Sequence, residues 1–242
     1  MKETVNELVV MLLAEGNVRV RKKEVAIVFT NKCEELRSKF REIAEELGQE
    51  VHKKGKKQLV IYSKDLGRQL LELSRSFRTK PCASGKQNAC PVTKRKIKLG
   101  PSCNICEPLI SDGKKFPPTT FPKTILNANP DNIAKYLRIF CSCEGGVVIG
   151  KDKRNDEVII RVTHPKLREQ IIEMFEKVGI KVKIRGKSLI YIKKLSEIRK
   201  FKEKIGFLEG CKAMRGKNVE IEKNRLLKLI LERHSSCKQD RE

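Results

Sequence analysis

Glu144 ends an apolar run, KYLRIFCSCEGGVVIG, at the point where large residues give way to two glycines and then to β-branched ones. Glu15 ends another, LLAEGNVRV (12–20), in the same setting: a small residue, Glu, Gly, then a β-branched strand. A carboxylate at the end of an apolar helix is costly to bury unless something binds it. Two carboxylates brought together near phosphates bind hard divalent cations, which activate water and stabilise a leaving oxygen. Without metal they repel, and one of them tends to protonate. The plainer alternative is an exposed helix end at each Glu, where the charge opposes the helix dipole and needs a compensating partner.

The nine cysteines offer other chemistry. Cys82, Cys90, Cys103 and Cys106 fall in one stretch, PCASGKQNACPVTKRKIKLGPSCNIC. Its CxxC pair is a good zinc knuckle, and Zn²⁺ on four cysteines would order an otherwise structureless insertion. The first pair, with seven residues between its members, is unusual for zinc; a disulfide or free thiols are the alternatives. Cys141 and Cys143 flank Ser142 beside Glu144, and His52, His164 and His234 could in principle complete a Cys–His nucleophile. Small residues at a helix interface are the better reading, since Cys packs as a small hydrophobe. Gly186-Lys187-Ser188 lacks the upstream glycine of a P-loop and falls on a hairpin turn, which disfavours nucleotide binding.

The elements that must position the two glutamates occur twice. VFTNKCEELRSKFREIAEELG (28–48) matches RVTHPKLREQIIEMFEKVG (161–179): a strand ending in Thr, an amphipathic helix, and Gly as a C-terminal cap. QLVIYSKDLGRQLLEL (58–73) matches SLIYIKKLSEIRKFKEKI (188–205), a strand with a Tyr running into Lys and another helix. The matches keep the same order in both halves. Each half therefore reads helix, hairpin, helix, hairpin, helix, with turns near Arg154–Asp156 and at Arg185–Gly186 in the second. The fold class is α+β: two pseudo-symmetric αββαββα repeats, each with a four-stranded antiparallel sheet. The first repeat spans 1–79, a Cys-containing linker or insertion 80–122, the second repeat 123–215, and a basic C-terminal helix and tail 216–242. The segment MKETVNELVVMLLAEG reads as an amphipathic helix rather than a signal peptide.

Formal charge is +24, from 54 Lys and Arg against 30 Asp and Glu. That excess is the footprint of a polyanion partner, most often nucleic acid; a Lys/Glu-rich thermophile surface is the alternative. Nothing is long and apolar enough to span a membrane, and a monomer in the cytoplasm is expected. In that compartment cysteines read as thiols or ligands before disulfides, an inference that a hyperthermophile host would weaken. Alternation puts Val18 and Val20 on one face with Arg19 and Arg21 on the other, and Val182 and Ile184 opposite Lys181, Lys183 and Arg185. One face should pack on helices and the other carry cations. Arg19, Arg21, Arg161, Lys181, Lys183 and Arg185 fit base readout by a β-ribbon, while Lys53, Lys54, Lys56 and Lys57 suit phosphate contacts.

On these residues the chain resembles a single-chain, two-motif LAGLIDADG homing endonuclease, an archaeal one by its composition. The nine-residue signature would lie over LVVMLLAEG (8–16) and LRIFCSCEG (137–145); PKTILNANPDNIAKYLRIFCSCEGG (122–146) and EIRKFKEKIGF (197–207) are similar to the approach and the closing helix of the family's second half. The resemblance implies a saddle of sheets on double-stranded DNA and Mg²⁺- or Mn²⁺-dependent cleavage of both strands at a long site. It implies metal binding by Glu15 and Glu144, and Lys64 and Lys193 as basic residues ordering water and phosphate. It leaves open a cleavage-inactive DNA-binding regulator on the same fold and an RNA-splicing maturase binding structured RNA. The small pair that lets the family's two motif helices approach is replaced by Val9–Val10 and Arg138–Ile139, so Ala14, Ser142 and Cys143 are expected to ease the approach. The first motif helix starts within a few residues of Met1, which suits a free-standing protein; an excised intron or intein domain is the alternative.

Overall fold

The computed structural model describes residues 2–20, 24–81, 109–111, 114–214 and 219–235. Arg21 and the four linker cysteines, Cys82, Cys90, Cys103 and Cys106, lie outside them, and with these the zinc reading.

The first repeat runs α1 (Lys2–Glu15), β1 (Gly16–Val20), β2 (Val25–Thr30), α2 (Glu34–Glu46), β3 (His52–Lys54), β4 (Gln58–Tyr62) and α3 (Lys64–Leu73). After a short hairpin, β5 (Leu109–Ser111) and β6 (Lys114–Phe116), and a single turn α4 (Lys123–Leu126), the pattern recurs. It runs α5 (Pro130–Glu144), β7 (Gly145–Val148), β8 (Glu157–Arg161), α6 (Pro165–Lys177), β9 (Lys183–Arg185), β10 (Leu189–Ile192) and α7 (Leu195–Lys204), closed by α8 (Lys223–Ser235). The sheets are antiparallel with matching orders, β1-β2-β4-β3 and β7-β8-β10-β9. This is the α+β fold of two αββαββα repeats that the sequence implies.

Local chemistry explains the repetition. Helices α2 and α6 both end in a Schellman motif. Gly48 (φ +65°) and Gly179 (φ +75°) take the left-handed conformation that ends each helix. Behind them, Gln49 N–H reaches Ala44 O (2.8 Å) and Ile180 N–H reaches Phe175 O (3.0 Å). The second hairpin of each repeat turns on Gly55 or Gly186, both at positive φ. The register matches too: Gly16 opposes Phe29 as Gly145 opposes Ile160, and Ile27 opposes Ile61 as Val158 opposes Ile192.

Three sequence expectations change. Helix α1 is not amphipathic: Leu8 to Leu13 are all 0 % exposed. It is wrapped by α5, α2 and the strands β1 and β2, so every side of it is core. The linker is not wholly structureless: β5 and β6 pair over three residues each, too few to show a period. Beyond them the chain is stitched to both halves, by Thr119 Oγ1 donating to Arg78 O (2.7 Å) and Phe121 N–H donating to Gln170 Oε1 (2.9 Å). The last helix starts at Lys223, because Glu220 N–H and Ala213 N–H fold 219–222 back on 211–213. It packs on α7 and β7 and belongs to the second half. Among the described residues no helix is long and apolar enough to cross a membrane.

Candidate functional site

Helices α1 and α5 lie side by side and run the same way. Near their starts Lys135 Nζ bonds Glu3 Oε1 (3.0 Å) and Asn6 Nδ2 bonds the Tyr136 hydroxyl (3.2 Å). At the other end Glu15 and Glu144 are the last helical residues, and both are half-buried. They come near enough to act on each other: burial and then the charge of Glu15 push the Glu144 carboxyl up to about 7, against the pull of Arg161, Lys223 and Lys80. The Cys143 thiol between them is pushed up by burial first and then by the same two carboxylates.

The glycine after each Glu is a matter of space, not of backbone freedom. A Cβ on Gly16 would lie 2.6 Å from Leu12 Cα, and one on Gly145 2.5 Å from Cys141 O. Each strand leaves its helix by doubling back against the last turn, and only a residue without a side chain fits. The junction thereby fixes where each carboxylate points off.

A compensating charge for Glu144 comes from far along the chain. Lys223, 6 % exposed, donates to Ser142 O and Gly145 O, both at 2.8 Å, and lies 5.2 Å over the Phe207 ring. It satisfies carbonyls that α5 leaves open and offsets the dipole that Glu144 opposes. Sequence reasoning missed it. The signal available was a lysine opening a helix, where a cation is unfavourable for that helix. Arg138 is accommodated by donating to Ile205 O (2.5 Å). Ser142 does not serve the α1 contact alone: its hydroxyl donates to Arg138 O (2.7 Å) and accepts from Leu208 N–H (2.8 Å).

The outer sheet faces differ from a row of cations. In the first sheet Ala26, Val28 and Val60 form a buried apolar floor, flanked across the strands by Arg19, His52 and Tyr62. In the second the corresponding positions hold Glu157, Ile159 and Tyr191. The cations sit at the rim. Lys54 Nζ lies 5.2 Å over Tyr62, and Arg185 lies 4.4 Å over Tyr191. Arg185 is also held by two bonds to Glu157, at 3.0 and 2.7 Å. Val20 and Ile184, expected against helices, are 54 % and 52 % exposed because their strands run past the helices there. Lys181 precedes β9 rather than lying in it, and its N–H bonds Glu197 (2.7 Å). Arg161, at the end of β8, lies close enough to draw down the Glu144 carboxyl, nearer the carboxylates than a base-reading position suggests.

Lys53, Lys54, Lys56 and Lys57 are all exposed around the first hairpin turn. An unforeseen device positions this turn and its counterpart: Arg37 on α2 donates to Lys56 O, and Arg168 on α6 donates to Lys187 O. Lys64 and Lys193 are both exposed but are not equivalent in register. With Ile61 matched to Ile192, Lys193 matches Tyr62 at the strand end, while Lys64 and Leu195 each open a helix.

Residues 131–206 match the family model described as a LAGLIDADG-like domain. Among solved structures the chain is similar to the LAGLIDADG meganuclease I-AabMI bound to uncleaved DNA, at 14 % identity over 98 % of this chain and 92 % of that one, TM-score 0.51. It is also similar to a variant of I-DmoI in complex with its target DNA in the presence of Mn, at 13 % identity over 93 % and 97 %, TM-score 0.50. Mesophilic variants of the homing endonuclease I-DmoI match at 13 % identity over 84 % and 88 %, TM-score 0.50. These likenesses are of fold. No curated protein matches the sequence.

Proposed function

We propose that this chain, which carries a LAGLIDADG-like domain over 131–206 and has the fold of the single-chain LAGLIDADG endonucleases, binds double-stranded DNA across its two sheets and cuts both strands. The observation that carries the reading is the convergence of Glu15 and Glu144 at the ends of two parallel core helices, between two sheets rimmed with cations.

A divalent cation, Mg²⁺ or Mn²⁺, fits the residues present. The donors are hard carboxylate oxygens, and burial and then the charge of Glu15 raise the Glu144 carboxyl to about 7 despite Arg161, Lys223 and Lys80, a state that a bound cation would relieve. Among the described residues no group of three or more His, Cys, Asp or Glu could hold a metal ion. Glu15 and Glu144 would therefore share it with water and phosphate oxygens, as Mg²⁺ prefers. Bound there, the cation supplies an activated water and stabilises the leaving oxygen. The chain's own residues do the rest. Lys223 and Arg161 favour the ionised form of Glu144. Lys64 and Lys193 order water and phosphate at the cut strands, in unequal ways given their unequal register. Arg19, Lys181, Lys183 and Arg185 face base edges, with Glu157 holding the Arg185 fork in place, and Lys53, Lys54, Lys56 and Lys57 face phosphates. Both glutamates and both sheets come from one chain, so a monomer suffices. The biological setting of the reading is homing of an intron or intein.

A DNA-binding regulator without cleavage is the second reading, favoured by the bulky Val9–Val10 and Arg138–Ile139 in the motif helices. Incubation with a randomised duplex library under Mg²⁺ or Mn²⁺ separates the two. Products with fixed ends establish a site-specific endonuclease. Tight duplex retention with no strand scission establishes the regulator and removes the catalytic assignment.

A further inference from the structure

Among the described residues, a cluster of reactive groups outside the carboxylate pair joins the two repeats. Cys33 lies just before α2 in the first half, and Cys211 lies after α7 in the second. Their sulfurs are 3.6 Å apart, in van der Waals contact, although 178 residues separate them in sequence. Both are free thiols, 8 % and 0 % exposed. Cys33 Sγ–H also donates to Glu35 Oε2 at 2.9 Å. The segment carrying Cys211 is fixed against this spot. Cys211 N–H bonds Leu208 O (3.2 Å), Lys223 N–H bonds Cys211 O (2.8 Å), and a Cβ on Gly210 would touch Glu35 Cγ at 2.9 Å. A pair of thiols held sulfur to sulfur between two rigid elements, with a carboxylate on one of them, has the parts of an oxidation site rather than of a packing contact.

We propose that Cys33 and Cys211 are a site of oxidative modification, at which a small hydroperoxide converts the thiol pair into a disulfide that covalently joins the first repeat to the second. Glu35 takes the Cys33 proton. The Cys33 thiolate attacks the peroxide, the O–O bond breaks, and the departing oxygen leaves as water or alcohol on gaining a proton. The sulfenic acid so formed is attacked by the Cys211 sulfur. The S–S bond forms, the S–O bond breaks, and the oxygen leaves as water with the Cys211 proton. Two thiols and one hydroperoxide give one disulfide, one water, and one further water or alcohol. The two sulfurs are unequal in the way this requires: hydrogen bonding from Cys211 holds the Cys33 thiol below the ordinary thiol range, and the same contact holds Cys211 above it. Cys33 attacks and Cys211 resolves. A small oxidant suits the site, since Cys33 is only 8 % exposed. Neither cysteine belongs to the proposed metal centre, so the site stands whether or not the chain cuts DNA.

The test uses the full chain, treated with hydrogen peroxide, capped with N-ethylmaleimide and digested with trypsin without reductant. The expected product is residues 33–37 linked to residues 205–212, two mass units below the sum of the reduced peptides and lost on adding dithiothreitol. The thermal midpoint of the oxidised chain should exceed that of the reduced chain by several degrees, and Cys33→Ser and Cys211→Ser should each abolish both effects. Cys211→Ser should in addition leave Cys33 trapped as a sulfenic acid that dimedone labels, a readout independent of stability. Capping of both thiols after peroxide, or pairing of either with another cysteine, would overturn the proposal.

Discussion

Glu144 carries the account at the scale of a single residue. Its carboxyl moves from 4.5 to about 7 in the fold, through burial and the neighbouring Glu15. Between those values the native chain holds a proton that the unfolded chain has released, so stability falls as pH rises through that window. Below 4.5 both states are protonated and there is no penalty. Glu144→Gln removes the ionisation. In chelator, its unfolding free energy should match wild type near pH 4.5 and exceed it by up to about 3 kcal/mol by pH 8, as read by urea denaturation; parallel pH profiles would contradict a Glu144 carboxyl raised by burial and by Glu15. Divalent metal should narrow the gap at pH 8, because the cation binds the ionised carboxylate, which wild type alone has at that position. Lys223 makes the complementary case. Lys223→Met leaves two helix-end carbonyls without a donor and should cost about 2–4 kcal/mol, with the Glu144 titration, followed by carboxyl NMR, moving further up.

At the scale of the element, the two helix-to-strand junctions specify the site. Gly145→Ala would force a Cβ to within 2.5 Å of the Cys141 carbonyl, whereas Gly146→Ala, one residue on, would meet nothing closer than Ile159 at 3.9 Å. The first should destabilise by about 2–4 kcal/mol and the second by less than about 1; equal effects in thermal unfolding would show that the junction is not the constraint. Much at this scale was legible in the sequence. The Glu-Gly junctions, the helices ending at Gly48 and Gly179 and the hairpin turning at Gly186 each follow from one local rule, so the αββαββα order could be read. Helix α1 was misread because burial on every side erases the periodicity that marks an amphipathic helix. Strands β5 and β6 are too short to have a period. The rim positions of Val20 and Ile184 depend on where the helices stop, which alternation within a strand does not encode. Lys223, the Arg185–Glu157 pair and the Cys33–Cys211 contact are meetings of distant segments, and no spacing announces them.

For the whole molecule, pseudo-symmetry and charge act together. Two matched sheets flank one carboxylate pair, and under the proposed function the first half would meet DNA with lysines where the second offers an Arg fixed by Glu157. Affinity should therefore fall with salt, and unequally for the two halves. Replacing Lys53, Lys54, Lys56 and Lys57 by Gln should flatten the slope of log affinity against log salt by about 3.6, a loss of four phosphate contacts, with the binding site protected from nuclease shortened on one side only. An unchanged slope in a filter-binding series would remove that hairpin from the interface. The central claim is that Glu15 and Glu144 form one centre that cuts duplex DNA with a divalent cation. The direct measurement is cleavage of a selected duplex under Mn²⁺ by wild type, Glu15→Gln and Glu144→Gln at equal, binding-saturated concentrations. Both variants should hold the duplex and lose scission of both strands by at least about a hundredfold. Cutting by either variant at the wild-type rate would contradict the claim.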